Sequence, residues 1–89
     1  MSFQAKVYKI VRRIPKGKVL SYKRVAQLAG SPQAFRAVGN ILNQNNNSQV
    51  PCHRVIKSDG RIGGYRGGAK MKIALLRKEG IRIRNQRIW

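Results

Sequence analysis

The chain has 89 residues, 42% of them hydrophobic, which suits one small domain with a core of its own. Its 20 Lys and Arg against two acids give a formal net charge of +18, a surface that repels itself unless a polyanion such as DNA or RNA neutralises it. The lone Cys excludes an internal disulfide framework, and one Cys with one His is too few ligands for a structural zinc site, so no metal is expected.

Residues 2–14, SFQAKVYKIVRRI, read as an amphipathic helix and not as a signal peptide. Phe3, Val7, Ile10, Val11 and Ile14 share one face, with Lys6, Lys9, Arg12 and Arg13 off it. Pro15 ends the helix and PKGK forms a turn. Ser21 is an N-cap candidate for a second helix, YKRVAQLAG, closed by Gly30. Ser31 as N-cap and Pro32 at the first helical position predict a third helix over residues 32–43. Its Phe35, Val38 and Leu42 share an apolar face, while Arg36, Asn40 and Asn43 share a polar one.

Two helices joined by a tight Gly-Ser turn make a helix-turn-helix pattern. The polar face of the third helix, with Ser31 and Gln33 at its start, is the candidate DNA contact; two packed helices with a solvated face are the alternative here, and a ribosomal-type structural protein is the one that charge alone leaves open.

NQNNNSQ, residues 43–49, is a polar loop, and VPCHRVI, residues 50–56, follows as a short extended segment. Asp59-Gly60 signals a turn, predicting a small hairpin over residues 54–63. AKMKIALLRKEG reads as a final helix with Met71, Ile73, Leu75 and Leu76 as apolar positions and Gly80 as its stop. IRIRNQRIW, residues 81–89, alternates like a short edge strand.

Cys52 and His53 are the only cysteine and histidine, and they are adjacent. A lone cysteine is ordinarily inert packing. Three features oppose that reading. Cationic surroundings and a neighbouring base favour the nucleophilic thiolate. Neighbours on a strand point to opposite faces, so a Cys52–His53 contact needs a kink after Pro51 or a bridging water. Glu79, one of two acids, sits in the last turn of the final helix, where the macrodipole disfavours an anion. It is either a histidine orienter or a partner of one of the many arginines. DGRIGGYRGG, residues 59–68, is glycine-rich enough for close approach to a ligand, with Tyr65 as a stacking face or hydroxyl; a flexible wing loop is the alternative.

PCHRVI, then SDGRIGGYRGG, then K-x-x-L-L-x-x-E-G from Lys72 to Gly80 resemble the active-site domain of O6-alkylguanine-DNA alkyltransferases. SYKRVAQLAGSPQAFRAVGNIL is similar to that family's helix-turn-helix, and the likeness runs in one order from residue 2 to 82. It implies a mainly α fold with a small β-hairpin, a winged-helix-like helix-turn-helix DNA-binding domain spanning residues 1–89, without the further N-terminal domain of full-length members.

The resemblance also implies a one-turnover repair reaction on double-stranded DNA containing O6-alkylguanine. Cys52 corresponds to the alkyl acceptor, His53 to the base that deprotonates it through a water, Glu79 to the carboxylate orienting His53, and Asn45 to the asparagine bracing that network. Tyr22 corresponds to the residue that helps rotate the target nucleotide, and Arg36 to the arginine that fills the gap left by the flipped base in the minor groove. Tyr65 and Lys72 fall at pocket positions. Arg66 stands where some members have a small hydroxyl residue, so that wall departs from the pattern. No cofactor, no membrane and a cytoplasmic monomer are expected, nucleoid-associated if microbial, with a separate protein or domain as candidate supplier of the missing part. Damage sensors related to the family bind the lesion without transfer and typically lack the cysteine, which this chain has.

Overall fold

The computed structural model describes residues 1–88. Helix α1 runs Phe3–Arg12, started by Ser2, whose hydroxyl accepts from the Ala5 amide at 3.1 Å. Strand β1 is Leu20–Ser21, and helix α2 is Tyr22–Leu28. Ser21 caps α2 as expected, accepting from the Arg24 amide at 3.0 Å, a contribution of about 1 kcal/mol. Gly30, at φ +87°, turns the chain out of the helix in a backbone shape open to glycine at little cost.

Helix α3 runs Phe35–Asn43, three residues later than the sequence predicts. Ser31 does not cap it. The Ala34 amide donates to the Ser31 carbonyl at 2.9 Å, closing a separate turn with Pro32 at its second position, where proline is favoured. Helix α4 runs Ala69–Lys78 and ends through Gly80, at φ +89°.

Val7, Val11 and Ile14 meet Val25 and Ala26 of α2, Ala29 just past its end, Val38 and Leu42 of α3, and Val50 and Val55 in the core. Phe35, expected on the buried face of α3, is 43% exposed, and Met71 of α4 is 53% exposed. Lys72 instead is fully buried beside Leu76.

The mainly α helix-turn-helix class is the one observed, but its strands pair differently from a hairpin over residues 54–63. Strand β2, Val55–Ile56, lies parallel to β1, with Leu20 opposite Val55 and Ser21 opposite Ile56. Parallel pairing requires a long crossover, which α2 and α3 supply. The Asp59-Gly60 turn does form, with the Lys57 amide bonded to the Arg61 carbonyl at 2.9 Å. Beyond it, Arg61 bridges antiparallel to Arg87, not back to β2. The expected edge strand over residues 81–89 is instead a tight turn, with Arg84 opposite Arg87 and Asn85 and Gln86 at positive φ; Trp89 lies outside the described residues. No helix among the described residues is long and apolar enough to cross a membrane.

Candidate functional site

The extended reading of VPCHRVI gives way to two consecutive tight turns. Pro51, at φ −78° and ψ 66°, centres an inverse γ-turn in which the Cys52 amide donates to the Val50 carbonyl at 2.8 Å. Cys52–Arg54 then form one 3-10 turn, closed by the Arg54 amide on the Pro51 carbonyl at 2.9 Å. Successive side chains therefore fan out about 120° apart instead of alternating across a strand.

Cys52 faces a cavity of about 240 Å³ walled by Tyr22, Leu42, Asn43, Gly64, Tyr65 and Arg66. His53 points to α4, its Nε2 3.0 Å from Glu79 Oε2, and its ring meets Tyr65 edge-on at 6.5 Å between centroids. No direct Cys52–His53 hydrogen bond forms among the described residues.

Asn45 reaches the thiol from the other side, its Nδ2 3.8 Å from Cys52 Sγ and 3.1 Å from the Asn47 carbonyl. Its Oδ1 accepts from the Asn47 amide at 3.0 Å, so the side chain is held at both ends. Arg66 lines the cavity and also ties its rim, Nη1 donating to the Gln44 and Asn45 carbonyls at 3.3 Å each.

Lys72 lies beneath this floor. Its Nζ donates to the Val55 carbonyl at 2.7 Å and the Gly64 carbonyl at 3.1 Å, and lies 3.3 Å from the Tyr22 hydroxyl. Burial pushes its ammonium down to about 8, against a smaller opposing pull from the Cys52 charge. Burial, then the Cys52 charge, pushes the hydroxyls of Tyr22 and Tyr65 above the ordinary phenol range, so both keep their protons and can donate.

Glu79 contacts both of the partners the sequence left open. It meets His53, and it is gripped by Arg54, Nε to Oε1 at 2.9 Å and Nη2 to Oε2 at 2.6 Å. The Arg54 hydrogen bonds, then those of His53, hold the carboxyl down at about 2 although burial works against them. Arg54 Nη1 also donates to the Ile14 carbonyl at 2.8 Å, fastening the site to the end of α1. Sequence reasoning assigned Arg54 nothing; its one signal was its place directly after His53.

Arg36, Asn40 and Asn43 are exposed along α3, with Ser31 and Gln33 exposed in the turn before it. Arg36 lines a second depression, about 600 Å³, with Phe35, Lys23 and Lys57. Tyr22 and Gly39 border both cavities, so the groove along α3 opens beside the Cys52 cavity. Phe35 is exposed because it forms part of that groove.

Residues 2–81 match the family model for the 6-O-methylguanine DNA methyltransferase DNA-binding domain. The chain belongs to this family. A methylated-DNA–protein-cysteine methyltransferase of Saccharolobus islandicus is 49% identical over 82 residues, covering 91% of this chain and 52% of that one. Two DNA complexes are close in structure. That of Mycobacterium tuberculosis OGT matches with a TM-score of 0.83 at 44% identity, over 89% of this chain and 50% of that one. That of S. pombe Atl1 with damaged DNA containing O6-carboxymethylguanine matches with a TM-score of 0.84 at 36% identity, over 92% and 79%. The chain spans about half, or less, of the length of the curated methyltransferases it matches.

Within this methyltransferase family domain, the fold brings Cys52, Tyr22, Tyr65 and Arg66 to one cavity and sets Asn45, His53, Glu79 and Lys72 around it. Of the candidate DNA contacts, Asn43 lines the same cavity, and Arg36, Asn40, Ser31 and Gln33 do not.

Proposed function

We propose that this chain is a DNA repair protein that takes an O6-alkylguanine out of duplex DNA and transfers the alkyl group irreversibly to Cys52. The observation that carries the reading is the Cys52 thiol facing a cavity between two tyrosines, with the His53–Glu79 pair beside it.

The duplex lies along α3 with its minor groove on Arg36, Asn40 and Asn43 and the preceding turn residues Ser31 and Gln33. The target base rotates into the Cys52 cavity past Tyr22. Unstacking costs a few kcal/mol, offset by Arg36 filling the vacated stack and by contacts in the cavity. His53 takes the thiol proton through a water, and Glu79 stabilises the imidazolium that forms.

The sulfur attacks the alkyl carbon; a C–S bond forms as the C–O6 bond breaks. The electron pair leaves with guanine, which receives a hydrogen bond from Tyr22 or Tyr65 and takes up, through water, the proton that His53 removed from the thiol. The thioether has no low-barrier return, so one protein repairs one lesion. Asn45, from the far side of Cys52, steadies the thiolate, and Lys72 sets the position of Tyr22 and the Gly64 carbonyl.

The likeness to Atl1 supports a second reading, in which the chain binds the lesion without removing the alkyl group. The presence of Cys52 with His53 and Glu79 favours transfer. Incubation with duplex DNA bearing O6-methylguanine, followed by digestion and mass measurement of the Cys52 peptide, separates the two. Transfer adds one methylene to that peptide. Tight lesion binding with no added mass leaves the sensor reading, and equal binding to damaged and undamaged duplex removes both.

A further inference from the structure

The family match ends at residue 81, yet the residues that follow are built into the body of the protein. The Ile62 amide donates to the Gln86 carbonyl at 2.9 Å, and the Ile88 amide to the Gly60 carbonyl at 2.8 Å. Arg87 bridges Arg61 in antiparallel pairing, and its Nη2 donates to the Asp59 carbonyl at 3.3 Å. Asn85 and Gln86 hold left-handed backbone, which costs roughly 1–2 kcal/mol at a non-glycine position. The segment is therefore a fixed wall.

With the Asp59–Arg61 turn, that wall encloses a shallow depression of about 650 Å³ that gathers Lys57, Arg61 and Arg87. Asp59 is the acid beside them, its Oδ2 3.2 Å from Arg61 Nε, and it offsets one of the three charges. The depression joins the rest of the site through shared residues. Lys57 also lines the Arg36 groove, and Gly64 also lines the Cys52 cavity. The depression is therefore continuous with both the Cys52 cavity and the Arg36 groove.

The basic stripe of α1 is the comparison for it. The Lys6, Lys9 and Arg13 stripe lies on the exposed side of α1, away from Val7 and Val11, which pack into the core. The molecule measures 35 × 25 × 20 Å. Screening over about 8 Å at physiological salt limits each exposed charge to its own neighbourhood.

We infer that Lys57, Arg61 and Arg87, held together by the 82–88 segment, form a second contact with the DNA backbone, on phosphates flanking the flipped nucleotide. This rests on the function proposed above and extends its DNA footprint beyond α3.

The test is the salt dependence of binding to an O6-methylguanine duplex. Each phosphate contact adds about 0.9 to the slope of log affinity against log salt. The Lys57→Gln/Arg61→Gln/Arg87→Gln variant should lower that slope by roughly two to three, and Lys57→Gln alone by about one. Lys57→Gln keeps the measurement interpretable if the triple variant folds poorly, because no hydrogen bond among the described residues uses that ammonium. The Lys6→Gln/Lys9→Gln/Arg13→Gln variant removes the same charge from α1 and should leave the slope nearly unchanged. An unchanged slope in the Lys57→Gln variant, or an equal fall in the α1 variant, overturns the inference. If either occurs while Cys52 still accepts the methyl group, the repair function stands and this contact alone is lost. A wild-type protein that neither prefers the lesion nor accepts the methyl group removes the repair reading and, with it, this contact.

Discussion

Arg54 and His53, neighbours in the chain, hold one carboxylate between them: Glu79 Oε2 lies 2.6 Å from Arg54 Nη2 and 3.0 Å from His53 Nε2. The 3-10 turn makes this possible, because it lets consecutive side chains reach the same helix end. Glu79 also ends α4, where the helix dipole opposes a negative charge, so Arg54 stabilises it there as well as aligning it.

Replacing Arg54 therefore damages the site indirectly. Arg54→Ala leaves a mostly buried carboxylate with half its partners and frees the Ile14 carbonyl. The expected loss is about 3 kcal/mol, the lower end for breaking a buried ion pair, read from urea unfolding. The single-turnover rate of alkyl transfer should fall at least tenfold. Arg54→Lys keeps the charge but not the two-pronged geometry, and should recover stability better than rate. Wild-type transfer by Arg54→Ala would show that His53 needs no fixed carboxylate.

Acid should dismantle the same contact. The folded protein holds the Glu79 carboxyl at about 2, below its ordinary 4.5. A depressed carboxyl contributes stability that is fully present above the ordinary value and is lost as pH falls toward the folded one. Wild-type stability should drop between about pH 4.5 and pH 2, and Glu79→Gln should show a shallower drop across that window. Asp59, also lowered, chiefly by the Arg61 amide, contributes in the same direction in both proteins. Parallel curves would mean that Glu79 has no special tie to Arg54 and His53.

Much of this was legible in the sequence because the informative residues are scarce. One cysteine, one histidine and two acids leave few ways to assemble a reactive site, and Glu79 stood out by its unfavourable helix position. Phe3–Arg12 follows its periodicity, and Tyr22–Leu28 its cap at Ser21. Arg54 was hidden among 20 Lys and Arg, since its partner lies 25 residues away and no local pattern marks the pairing. The β1–β2 pairing was hidden because strands of two residues show no alternation. The start of α3 was misplaced because Ser-Pro opens a β-turn as readily as a helix. Periodicity alone also put Met71 inside; the position of Lys72 came from family resemblance, since a fully buried lysine runs against residue preference unless its ammonium is partnered.

Gly63 couples the glycine-rich loop to Tyr22. It sits at φ +77°, and a Cβ there would come 3.2 Å from Tyr22 Cε2 and 3.4 Å from both the Tyr22 hydroxyl and Lys57 Cγ. Gly63→Ala should cost roughly 1–2 kcal/mol for the left-handed backbone alone and displace the Tyr22 ring. Gly64→Ala has open space and no such backbone constraint, so it is the matched control. Stability in urea should fall in the first variant and change little in the second, and the first should also bind the lesion more weakly. Equal behaviour would mean that the loop yields without disturbing the tyrosine.

Lys72 provides the alkaline counterpart. Its buried ammonium titrates near 8 against 10.5 for an ordinary lysine, a difference of order 3 kcal/mol. Between those values the unfolded chain binds the proton and the folded one does not, so stability attributable to this group rises with pH. Below about 8 the folded protein carries the full cost of the buried charge, eased by the Val55 and Gly64 carbonyls. Lys72→Met removes both the cost and the two donated bonds. The stability difference between wild type and Lys72→Met should shift toward the wild type from pH 7.5 to about 10, before Tyr22 and Tyr65 titrate. Transfer by the variant should be slower throughout, because Tyr22 and the Gly64 carbonyl lose their common anchor. A constant stability difference across that range would place the lysine's titration outside it and leave Lys72 as an ordinary hydrogen-bonded cation.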